Sequence, residues 1–69
     1  MTREEYSQVQ DTILGLIEQE KRYCAGYVAN NPDDKANREK IRDYIVSGMN
    51  NVLATLHANV KTGRIRISE

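Results

Sequence analysis

The chain has 69 residues, with hydrophobic residues at 39%, charged residues at 29% and a formal net charge of zero. That length allows a single domain with a small core, and the even charge balance excludes a binder that covers nucleic acid with its whole surface. The single cysteine, Cys24, rules out an intrachain disulfide and a paired-cysteine metal site.

The chain starts with Thr2-Arg3-Glu4-Glu5, which has the Thr-x-x-Glu form of a capping box. Its early acids suit the positive end of a helix dipole. With a helix start at residue 2, no signal peptide is expected ahead of the fold. At 100° per residue, Tyr6, Val9, Ile13, Leu16, Ile17, Cys24 and Tyr27 share one sector. Glu4, Ser7, Asp11, Glu18 and Arg22 lie opposite. The spacing predicts a first helix over about residues 3–30.

Asn30-Asn31-Pro32-Asp33-Asp34 interrupts that pattern. Pro32 suits the first position of a new helix, with Asn31 as its N-cap and two aspartates in the first turn. Ile41, Ile45, Met49, Val52, Leu56 and Val60 then recur at three- and four-residue spacing, with Leu53 beside them. A second helix is predicted over about residues 32–62, ended by Gly63.

The short connection makes the two helices antiparallel, each about 40 Å long at 1.5 Å per residue. A lone pair leaves much of each apolar stripe uncovered. The expected fold is therefore an all-α, two-helix antiparallel hairpin that assembles as a homodimeric four-helix bundle or a higher oligomer. Residues 1–63 form the hairpin unit and residues 64–69 an extended tail.

Glu20 falls within the first helix's apolar sector, where a carboxylate is costly unless paired. The turn position sets it across from about Arg42, with Arg38 one helical turn away. Glu20, Tyr23, Tyr27, Arg38 and Arg42 thus form a polar, aromatic cluster near the turn. One reading is an ion pair that fixes helix register. The other is an anion or small-ligand pocket, with Arg38 and Arg42 as fork donors and a tyrosine stacked on the ligand.

His57 is the only histidine and lies at the edge of the second stripe, with no nucleophile or acid at helical spacing beside it. The Glu-x-x-His pairs of di-metal bundles do not occur on the inward faces. Ser7, Ser47 and Ser68 have no base in an obvious position, and no glycine-rich phosphate loop is present. The chain is expected not to be an enzyme and to use no cofactor. Cys24 falls on the apolar side and is expected to be a small buried hydrophobe.

In the tail, Arg64-Ile65-Arg66-Ile67 alternates charge and aliphatic side chains at strand spacing. Through Asn30 the chain has five acids against three bases, whereas residues 61–69 have three bases against one acid. No other segment of the chain is expected to pair with the tail, so it is either a frayed terminus that its arginines solvate or an arm whose Ile65 and Ile67 are covered by another subunit or a partner. Arg64 and Arg66 are the candidate phosphate contacts.

These features point to a small non-catalytic interaction protein, a regulator, inhibitor or chaperone-like adaptor, acting as a helical homo-oligomer on a protein partner. The alternative is a binder of an anionic ligand, a nucleotide or RNA phosphate, through arginines of the second helix and the tail. With no apolar run long enough to span a bilayer, no membrane partner is expected and the cytoplasm is the expected location.

Overall fold

The computed structural model describes residues 1–68. Two helices account for most of them: α1 over Arg3–Asn30 and α2 over Lys35–Lys61. They pack antiparallel into a hairpin whose principal extents are 50 × 18 × 9 Å, a layer one helix thick. No helix among the described residues is long and apolar enough to cross a membrane.

The capping box at the start of α1 is complete. The Thr2 hydroxyl accepts from the Glu5 N–H at 3.1 Å, and Glu5 Oε1 accepts from the Thr2 N–H at 2.7 Å. The Thr2 N–H, and then the Thr2 hydroxyl, hold the Glu5 carboxyl below its ordinary value. α1 therefore starts with two of its orphan donors satisfied by local chemistry alone.

The turn differs from its expected form. Pro32–Asp34 forms a 3₁₀ turn, and α2 begins at Lys35 rather than at Pro32. Asn31 does not cap α2 with its side chain; its Nδ2 donates back to the Tyr27 carbonyl at 2.9 Å and closes α1. The physical reason is local. Asn31 directly follows α1, whose last carbonyls lack helical partners, and an asparagine amide can reach them. Proline still starts the new element, but the first turn tightens to i→i+3 bonding, with the Asp34 N–H on the Asn31 carbonyl at 3.0 Å.

At its far end α2 stops at Gly63, whose φ of 83° lies in the left-handed region that glycine enters without steric cost. The Gly63 N–H reaches the Val60 carbonyl at 3.2 Å, and the Ile65 N–H reaches the Asn59 carbonyl at 3.0 Å. The reversal sends the tail back along the hairpin toward the N-terminus.

The tail finds a partner within its own chain, contrary to the expectation from sequence. Thr2 and Ser68 form a single parallel bridge. The Ser68 N–H donates to the Met1 carbonyl at 2.8 Å, and the Met1 ammonium donates to the Arg66 carbonyl at 3.1 Å. Ile65 and Ile67 are half-buried while Arg64 and Arg66 are exposed, so the alternation is real. The isoleucines are half-buried without a second subunit, in a tail tied by the Ile65 N–H to Asn59 and by Arg66 and Ser68 to Met1.

The core is small. Among the described residues, Ile17 and Cys24 are the only buried apolar side chains, at 6% and 1% exposure. The side chains that face across the hairpin follow a four-three spacing on α1: Tyr6, Gln10, Ile13, Ile17, Glu20, Cys24 and Tyr27 are all buried or half-buried. Val9, Leu16, Ile41 and Val52, grouped with the inward stripes in the sequence, are instead exposed. One neighbouring helix covers only a narrow seam, and these four lie on its flank.

Candidate functional site

The polar end of the seam is built by Glu20 and Tyr23 of α1 with Arg38 of α2. Four-three spacing puts Glu20 in line with Ile17 and Cys24, so its carboxylate points at the other helix. Arg38 is level with Cys24, and its long side chain reaches one turn along the seam to Glu20. Its Nη2 makes a short ion pair with Glu20 Oε1, and both side chains are nearly enclosed, at 11% and 13% exposure. The Tyr23 ring lies over the guanidinium, 5.4 Å from its carbon to the ring centroid. Hydrogen bonding to Glu20 raises the Arg38 pKa further above its ordinary value, so the guanidinium stays charged at every working pH.

Arg38 Nη1 is buried and has no hydrogen-bond partner. An unpaired buried N–H costs free energy that a paired one does not. The backbone carbonyl of Arg38 accepts from Cys24 Sγ at 3.8 Å, a weak bond that ties the thiol into the same cluster.

Arg42, placed opposite Glu20 by the sequence reading, engages other carboxylates. Its Nε and Nη2 donate to Asp43 Oδ1 at 3.1 and 3.0 Å, and its Nη1 lies 3.7 Å from Glu39. The bond to Asp43 raises its pKa. Arg38 and Arg42 therefore serve different acids, one across the seam and one along α2. Cys24 rather than Glu20 lies level with Arg38, its Sγ 3.8 Å from the Arg38 carbonyl, so the long Arg38 side chain reaches one turn along the seam to Glu20 while Arg42 bonds along α2.

Tyr27 closes the cluster at the turn. Its hydroxyl donates to Asp34 Oδ2 at 2.8 Å, and Asn37 Nδ2 donates to Asp34 Oδ1 at 3.3 Å. The bond to Asp34, and then the negative charge of that carboxylate, raise the Tyr27 pKa. The 3₁₀ turn is thereby pinned to α1.

Beside the ion pair, Leu16, Gln19, Glu20, Tyr23 and Met49 line an open groove of about 310 Å³. Tyr23 is 65% exposed and forms part of its wall. The groove is shallow and runs along the flank of the seam. At the other end of the hairpin, His57 is exposed; its Nε2 lies 3.0 Å from Gln10 Oε1 and its ring 6.0 Å from that of Tyr6. Among the described residues no group of three or more His, Cys, Asp or Glu is placed to hold a metal ion.

The candidate contacts named from sequence thus separate into two places. Glu20, Tyr23, Tyr27, Arg38 and Arg42 lie near the turn, and Arg64, Ile65, Arg66 and Ile67 lie at the opposite end. Sequence reasoning missed the role of Met1 and Thr2 in holding the tail, for which two residues carry no periodic signal.

Comparison with known proteins yields no match: no family model fits the sequence, and neither a curated protein nor a solved structure is similar to it.

Proposed function

We propose that this chain is a small non-catalytic interaction protein that works as a homodimer, two hairpins forming a four-helix bundle that presents its outer surface to a protein partner. The observation that supports this reading is the thinness of the fold. A hairpin 9 Å thick is a single layer, whereas stable domains place two layers around a core. Val9, Leu16, Tyr23, Ile41 and Val52 stay exposed, although a chain of this size has few other apolar side chains to spend on stability. A second copy supplies the missing layer at no cost in new sequence. The ionic chemistry near the turn fits a structural role, since Glu20 is paired with Arg38 Nη2 and Arg42 is held by Glu39 and Asp43.

Light scattering after size exclusion tests the assembly. The expected mass at micromolar concentration is twice the 7.9 kDa of the chain. A mass that stays at 7.9 kDa up to millimolar concentration contradicts the proposal.

A further inference from the structure

The two broad faces of the hairpin differ in charge. On α1, Val9, Leu16 and Tyr23 recur every seven residues, displaced to one side of the seam set by Ile13 and Ile17. On α2, Ile41, Gly48 and Val52 are displaced from the seam in the same rotational sense. Both helices are right-handed and they run antiparallel, so displacements of the same sense fall on the same broad face. Between Glu5 at one end and the aspartates of the turn at the other, helical spacing puts no charged side chain on that flank. The ion pairs Glu18–Lys21 and Glu39–Arg42–Asp43 belong to the opposite flank.

We infer that the uncharged face is the surface on which a second copy of this chain docks, with α1 of each copy lying on α2 of the other and Leu16 seated over Gly48. This rests on the homodimer proposed above and specifies its interface. Three observations favour a second copy as the occupant. First, the hairpin outline of 50 × 18 Å gives a broad face large enough for the about 800 Å² per partner that a standard stable interface buries. Second, a two-fold axis sets a patch against itself, and a patch without charge meets its own copy with no like-charge repulsion. Depletion of charge with tyrosine present is also the composition of interface centres.

Third, the middle of the face is complementary in size. Leu16 stands at the midpoint of α1 (Arg3–Asn30), and Gly48 at the midpoint of α2 (Lys35–Lys61). A two-fold axis along the hairpin keeps both turns at one end and brings these midpoints together. Gly48 weakens a helix interior relative to alanine. A Cβ added there meets nothing within 4 Å, so no contact within the chain demands a glycine. An approaching leucine from a second copy does.

The test uses Gly48→Arg and a pair of cysteine variants. Gly48→Arg has open space in the single chain, so helical content by circular dichroism is expected to survive while the mass falls to that of one chain. Glu18→Lys, on the charged face, is expected to remain dimeric. Leu16→Cys and Gly48→Cys are expected not to cross-link singly under oxidation and to cross-link when mixed; the native Cys24 thiol, 1% exposed, does not compete. A dimeric Gly48→Arg, or a dimer lost in Glu18→Lys, overturns the choice of face. Cross-linking of Leu16→Cys with itself, or none in the mixture, overturns the arrangement. An unmodified chain that is monomeric throughout defeats the homodimer proposal itself, a failure separable from both of these.

Discussion

Replacing Glu20 with alanine is expected to lower the melting temperature by on the order of 10 °C or more, the largest effect of any single polar substitution in this chain. The reason lies in what remains. Arg38 is 9% exposed, Tyr23 covers it, and its Nη1 already lacks a partner. Without Glu20 the guanidinium has no acid across the seam, and losing its proton is no escape because an arginine keeps its charge at every working pH. Removing one member of a buried pair leaves an uncompensated charge, whereas replacing both with apolar groups of similar volume is often neutral or stabilising. The double variant Glu20→Leu/Arg38→Met is therefore expected to recover most of the loss. Thermal unfolding followed by circular dichroism reads both. A Glu20→Ala chain that melts with the unmodified one would show that the pair contributes nothing to the fold.

The second large effect is in the apolar seam. Ile17→Ala is expected to cost about 2–5 kcal/mol, the range for truncating a buried aliphatic side chain, and Ile17→Val about 0.5–1.5 kcal/mol. Ile17 is one of two buried apolar residues among those described, so little nearby packing can relax into the space. Against the about 3–5 kcal/mol that a single core supplies in chains this short, the alanine variant is expected to be mostly unfolded at 37 °C. Chemical denaturation gives both values. An Ile17→Ala chain as stable as Ile17→Val would mean that the seam is not where stability resides.

Much of this architecture was legible in the sequence, and the parts that were not share a cause. The start of α1 was legible because Thr2 and Glu5 act within one turn. The boundary at Pro32 was legible because proline removes a donor wherever it stands. The pairing of Glu20 with Arg38 rather than Arg42 was not, since the two arginines are one turn apart and a side chain that long reaches a full turn from its own level. The tail was misjudged because its contacts, Met1 and Thr2, are more than sixty residues away and too few to carry a pattern. Gly48 gave no signal at all: a residue without a side chain enters no stripe, and its position matters only once both faces are known.

Val52 is 58% exposed in the single hairpin. In an isolated chain its truncation would cost little, because little contact is lost. On a docked face it removes contact that exists only in the dimer.

The account rests on a second layer supplied by a second copy, and the concentration dependence of thermal unfolding tests it most directly. Binding that occurs only in the folded state makes the melting temperature rise with protein concentration. The unmodified chain is expected to melt several degrees higher at 500 μM than at 5 μM, by the roughly 4–8 °C per kcal/mol that apply to chains of this size. A melting temperature identical at both concentrations, with the mass of a single chain at the higher one, would contradict the account.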